Sequence, residues 1–176
     1  MRPREGINYL TGADIPPLNA PMIDIQRLAE NIAERARLAH GVTLFDLVGQ
    51  LGGRVFTVDE DEWDREVSGS IIVHGPGDFD VAISRFTSPL RDRFTLAHEL
   101  GHYFLHSLQG KQPIIAQRYG SGRREWEANW FAAALLMPAD RFRTAYRENR
   151  DPRHLSWVFN VSIPAVKVRA RALNLD

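Results

Sequence analysis

Residues 94–106 read FTLAHELGHYFLH, and within them His98, Glu99 and His102 form an HExxH pattern. Residues four apart on a helix share a face, about one turn apart. Two imidazoles so placed can meet one ion at the usual Zn–N distance of roughly 2.1 Å. Glu99 is rotated about 100° from His98, so it flanks the ion rather than sharing its axis. There it can hold a water whose pKa zinc brings toward about 7, take its proton and return one to a leaving amine. That is the chemistry of peptide-bond hydrolysis. Phe94, Leu96, Ala97, Leu100, Tyr103, Phe104 and Leu105 make this helix apolar on nearly every side. A helix of that kind is buried, and two histidines and a glutamate inside it need partners, which a metal supplies.

His106 extends the same stripe, but its Cα is expected about 12 Å along the helix from that of His98, too far for both to ligate one ion. A packing role, or a contact to a ligand rather than to the metal, is expected for it. The chain has no cysteine, so thiolate ligands and disulfides are excluded. A catalytic zinc site takes three protein ligands and leaves one position open. The third must therefore be a histidine or a carboxylate from another element. The next helix offers Glu125 and Glu127. Glu125 shares a face with Ala128, Ala132 and Leu135, whose small residues allow a close approach to the metal helix. Glu127 shares a bulkier face with Trp130, Phe131 and Ala134. The pattern favours Glu125 and leaves Glu127 open. Asn129, one turn after Glu125, is placed to hydrogen-bond a ligand.

Several elements must position these groups. Residues 1–21 carry Pro3, Pro16, Pro17 and Pro21 without clear periodicity and read as an extended arm. Asp24 can cap a helix to about Ala39, with Ile25, Leu28, Ala29, Ile32, Ala36 and Ala39 on its apolar face. Thr43 and Asp46 resemble a capping box for a short helix ending at Gly52-Gly53. Arg54 to Val58, Gly69 to His74 and Phe79 to Arg85 read as strands, the last two joined by GPGD. The strand 79–85 could be a sheet edge to which a substrate adds by backbone pairing. Ser88-Pro89 opens the metal helix, which should run to about Ser107. Residues 108–122 read as a connection that can line the cleft. Helices follow over 123–137, from Pro138 to about Asn149, over 153–159 and over 163–173. The fold class is α+β, with a small antiparallel or mixed sheet packed on the HExxH helix. The expected organisation is an arm (1–21), a metallopeptidase core (22–139) and a helical C-terminal segment (140–176).

Composition narrows the function classes. Of the 176 residues, 44% are apolar and 25% charged, which suits a globular protein and not a disordered one. Formal net charge is zero, so bulk electrostatics do not favour nucleic acid. The acidic stretch 59–66 and the arginine-rich stretch 141–171 read as solvated surface. The N-terminus lacks the apolar run of a secretory signal. The longest apolar run, Trp130 to Met137, is too short to span a bilayer. A cytoplasmic protein without a membrane role is expected.

The blocks Arg93 to His106 (RFTLAHELGHYFLH) and Glu125 to Pro138 (EWEANWFAAALLMP), in that order, closely resemble the ImmA/IrrE family of metallopeptidases. The resemblance implies a compact, gluzincin-like (minigluzincin) fold of the zincin type, and one Zn2+ held by two histidines and a glutamate. In related gluzincins the ligand glutamate stands three residues before an alanine, which again selects Glu125. Family members typically cleave a helix-turn-helix repressor and so derepress phage, mobile-element or stress genes. Residues 155–175 resemble the family's closing segment, of helix-turn-helix flavour, with Pro164 as a departure. The arm 1–21 has no counterpart in this resemblance.

The leading expectation is a zinc endopeptidase acting on a protein partner, with Tyr103, Tyr119, Arg124 and His154 as candidate oxyanion stabilisers. The alternative is a metal-binding regulator that does not cleave, or a toxin-antitoxin component that binds a repressor or DNA. Against direct DNA binding, Ala165, Val166, Val168, Ala170 and Ala172 offer no polar groups to base edges. Two histidines and a carboxylate suit zinc best, although Mn or Fe can use the same donors.

Overall fold

A computed structural model describes residues 1–58, 69–85, 87–117 and 122–175. The acidic stretch 59–66 and Tyr119 lie outside the described residues. The elements run β1 (Leu10–Thr11), α1 (Met22–Arg35), α2 (Leu44–Gln50), β2 (Gly53–Val58), β3 (Gly69–Gly75), β4 (Asp78–Ser84), α3 (Pro89–Gly101), β5 (Ile114–Gln117), α4 (Arg123–Leu136), α5 (Ala139–Glu148), α6 (Pro152–Phe159) and α7 (Ile163–Ala172). The class is α+β, as the alternation of strand-like and helical patterns predicts.

The sheet order is β1-β5-β3-β4-β2. The β3–β4 hairpin and the β3–β5 pair are antiparallel, while β2 runs parallel to β4 and β1 parallel to β5. This corrects the reading of 79–85 as an edge. β4 is interior, bonded to both β3 and β2, and β1 and β2 form the rims. The burial pattern gives the reason, since every residue from Phe79 to Ile83 is buried. The alternation in 79–83 marks two covered faces rather than one covered and one wet.

Start and stop signals act much as read. Thr43 and Asp46 form the reciprocal capping box of α2. Ser88 accepts from Arg91 N at the start of α3, with Pro89 in the first turn. Ser162 caps α7, and Pro164 falls in its first turn. Two boundaries differ. α1 is capped at Pro21 and ends at Arg35, so Asp24 lies in its first turn rather than at the cap. Its buried face is Ile25, Gln26, Ala29 and Ala33, leaving Leu28 exposed. The connection 108–122 contains β5, too short at four residues to show a period.

α4 packs between α1 and α3, and α3 lies against β3 and β4. The break between α4 and α5 is stitched by one ion pair. Arg169 of α7 donates from Nε to Met137 O (2.9 Å) and from its terminal nitrogen to Glu30 Oε1 (2.9 Å), and the same oxygen accepts from Ala139 N (2.9 Å). Arg169 is 1% exposed, so the arginine-rich tail is not uniformly solvated surface. A cation there answers the carbonyls at the end of α4.

The arm 1–21 is held along its length. Arg4 pairs with Asp78, and Tyr9 meets His74 Nδ1 at 2.6 Å. Leu10 and Thr11 pair with Ile114 and Ile115, and Ile15 enters the core. Among the described residues, no helix is long and apolar enough to cross a membrane.

Candidate metal centre

α3 stops being α-helical where the second histidine begins. Residues His102–His106 form a π-helical turn, closed by Ser107 N to His102 O at 2.9 Å. The expectation of one helix to about Ser107 therefore holds for its span but not its winding. Single π turns are frequent at functional sites.

His98, His102 and Glu125 converge. The Nε2 atoms of the two histidines are 3.1 Å apart. Glu125 Oε2 lies 3.2 Å from His98 Nε2, and Oε1 lies 3.7 Å from His102 Nε2. One donor atom from each can be chosen so that all lie within 4.8 Å of one another. A tetrahedral ion with bonds of roughly 2.1 Å needs ligand–ligand edges of roughly 3.4 Å, and the three distances bracket that value. His98 Nδ1 donates to Asn129 Oδ1 at 3.0 Å, which leaves the Nε2 lone pair of His98 facing the cluster. Glu125 Oε1 is buried without a hydrogen-bond partner among the described residues. Three lone-pair donors at this spacing repel one another unless a cation stands among them, so the set fits a metal of the zinc type.

The electrostatics keep His102 in ligand form. Burial lowers the His102 pKa to about 3, so its imidazole is neutral.

Glu99 is fully buried on α3. A Cβ on Gly69 would stand 2.8 Å from Glu99 Oε1, so the start of β3 closes over this carboxylate. Glu127 is not in the cluster. It accepts from His106 Nε2 (3.1 Å) and from Arg123 Nε (3.0 Å). His106 in turn meets His102 Nδ1 through its own Nδ1 at 3.0 Å. It therefore touches a candidate ligand rather than the ion position, as its distance along the helix requires.

The oxyanion candidates fare differently. Tyr103 stacks on Phe79 at 4.3 Å, and its hydroxyl accepts from Gly77 N at 3.3 Å. It turns toward the hairpin and away from the cluster, because it stands one residue round the helix from His102. His154 sits on α6, facing Trp157 at 6.4 Å, an element packed on α5 and α7 rather than on α3. Arg124 does come close, with Nε 3.5 Å from Glu125 Oε1. Its terminal nitrogen is engaged by the carbonyl oxygens of Gly12 and Ile15.

Sequence reasoning missed Gly101 and Gly69. A Cβ on Gly101 would lie 3.0 Å from Ala128 Cα, so this glycine sets the α3–α4 approach that brings Glu125 to the histidines. The signal was available, because glycine inside a helix costs roughly 0.5–1 kcal/mol against alanine and its presence points to a close contact. Gly101→Val should destabilise the fold by about 1–3 kcal/mol through overpacking. It should also weaken metal binding by separating the two ligand-bearing helices. Urea unfolding and a chelator competition read the two effects; retention of both properties would remove Gly101 from this role.

A mixed sheet on a helix bearing both histidines, with the carboxylate on the next helix, is a zincin-like arrangement. The chain belongs to the peptidase M78 family, described as IrrE N-terminal-like domain, whose profile matches residues 78–171, more than half of its length. Among solved structures it is similar to a "Mycobacterium tuberculosis transcriptional regulator", with 20% identity and a TM-score of 0.57 over 84% of this chain. The match covers 46% of that protein, so the chain spans about half its length. A search of curated protein sequences returns no match.

Proposed function

We propose that this protein is a zinc-dependent endopeptidase. Its substrate is a protein partner, a helix-turn-helix transcriptional repressor, whose cleavage in the cytoplasm derepresses phage, mobile-element or stress-response genes. The observation that carries this reading is the His98–His102–Glu125 spacing, with Glu99 next to His98 on the same helix. Membership of a peptidase family supports the reaction class. The substrate class rests on the ImmA/IrrE resemblance.

His98, His102 and Glu125 would hold the ion, and Asn129 orients His98. When bound, zinc supplies Lewis-acid activation of water and of the scissile carbonyl. Glu99 acts as general base toward the attacking water and returns a proton to the departing amine. Gly69 keeps the wall beside that carboxylate free of a side chain.

Incubating the protein and zinc with the repressor encoded beside its gene tests this. The wild type should cut, and Glu99→Gln should cut about 10²–10⁴-fold more slowly while keeping its metal. The alternative is a regulator that binds metal without cleaving, or a toxin-antitoxin component, and the name of the fold neighbour favours it. A stable complex without cleavage by either form would support that alternative. Salt-dependent DNA binding would point to direct regulation.

A further inference from the structure

The arm, Glu127 and His106 form an unbroken line of hydrogen bonds that ends on His102. Leu18 N and Asn19 N each donate to the Glu127 carboxylate at 2.8 Å. Arg123 Nε adds a third donor at 3.0 Å, and its terminal nitrogen also holds Ala20 O at 2.6 Å. On its other side the carboxylate meets His106 Nε2 at 3.1 Å, and His106 Nδ1 meets His102 Nδ1 at 3.0 Å. Glu127 and the His106 side chain are fully buried.

This line has one consistent direction. A carboxylate only accepts, so the neutral His106 imidazole carries its proton on Nε2 and its lone pair on Nδ1. That lone pair requires a proton on His102 Nδ1. His102 Nε2, the atom facing His98 and Glu125, is then left with its lone pair. Both tautomers are thus dictated from the far end of the chain of contacts. Burial would raise the Glu127 carboxyl, but His106, Arg123 and the two arm amides hold it below the usual range.

We propose that the N-terminal arm is a working part of the metal centre. Through the amides of Leu18 and Asn19 it fixes Glu127, which through His106 sets the tautomer and ring orientation of the ligand His102. Leu18, Asn19, Glu127 and His106 are positioning residues, and docking or release of the arm tunes how tightly the metal is held. A partner that pulls residues 18–20 away would loosen the ion without touching a ligand. The proposal rests on His98, His102 and Glu125 binding a metal. Contacts of this kind to ligating histidines are worth about 10–100-fold in metal affinity.

The test uses full-length protein, with Zn2+ affinity read by chelator competition and ligand geometry by the visible spectrum of the Co2+ form. Glu127→Gln removes the charge and turns one acceptor into a donor facing donors. Leu18→Pro removes one arm amide and leaves α4 untouched, so it still reports if the buried change harms folding. Tyr9→Phe loosens the arm at His74 and at the Arg4 amide, away from Glu127, and controls for general weakening of the arm. Expected are a loss of about 10–100-fold for Glu127→Gln, a smaller loss for Leu18→Pro, shifted Co2+ bands for both, and wild-type behaviour for Tyr9→Phe. Wild-type affinity in both Glu127→Gln and Leu18→Pro would overturn the proposal. Loss in Glu127→Gln with Leu18→Pro unchanged would overturn the arm's part in it. Equal loss in Tyr9→Phe and Leu18→Pro would reduce the arm to a structural brace. If the wild type itself bound no metal while remaining folded, the metal reading would fall first, a different result from all of these.

Discussion

Zinc at about a thousand times its Kd should stabilise the wild-type protein by about 4 kcal/mol. For a chain of 176 residues each kcal/mol moves the melting midpoint by roughly 2–4 °C, so the rise should be roughly 8–16 °C. The cause is local. His98, His102 and Glu125 are buried with their donor atoms 3.1–3.7 Å apart, and an ion relieves a repulsion that only the folded chain contains. Glu125→Gln keeps the volume and removes the charged donor. It should melt near the temperature of chelator-treated wild type, with or without zinc. Calorimetry with and without chelator measures both. A zinc-dependent rise of the same size in Glu125→Gln would mean that Glu125 is not the third ligand.

Arg169→Ala should cost about 3–5 kcal/mol, as expected when one member of a buried pair is removed. The Arg169 side chain is fully buried, and that of Glu30 is 27% exposed. Deleting the guanidinium leaves Glu30 facing Ala139 N alone and Met137 O without this donor. It also opens a void beneath α7. Glu30→Gln keeps an acceptor for both donors and should cost much less, about 1 kcal/mol. Denaturant titration compares them. A loss below about 1 kcal/mol for Arg169→Ala would mean that α7 is not held by this pair. Because the pair clasps the end of α4, the helix that carries Glu125, some loss of metal affinity should accompany the loss of stability.

Much of this architecture was legible because it is written in side-chain chemistry. His98, Glu99 and His102 announce themselves by spacing, and Ala128 and Ala132 beside Glu125 mark a helix able to come close. Thr43, Ser88 and Ser162 sit where helices begin because their oxygens answer free amides. The parts that escaped belong to the backbone or to long range. β5 has four residues and β1 two, too few for a period to emerge. The interior place of β4 depends on β2 arriving from outside the hairpin. The π turn depends on packing at His102–His106, not on composition. The amides of Leu18 and Asn19 carry no residue-specific signature, so their hold on Glu127 could not be read at all. Glu127 itself looked like a rival ligand because its charge was visible while its pairing with His106, at the end of the π turn, was not.

The donor set has a further implication for chemical durability. Imidazole and carboxylate donors are untouched by the peroxide-driven steps that take a thiolate to sulfenic and sulfinic acid and release its metal. With no cysteine anywhere in the chain, no thiol can be oxidised, cross-linked or capped. Met137, which follows the last turn of the helix carrying Glu125, is fully buried. A metal centre built this way would keep its ion under oxidising conditions in which zinc–thiolate proteins lose theirs, and it gives up the option of being switched by redox state.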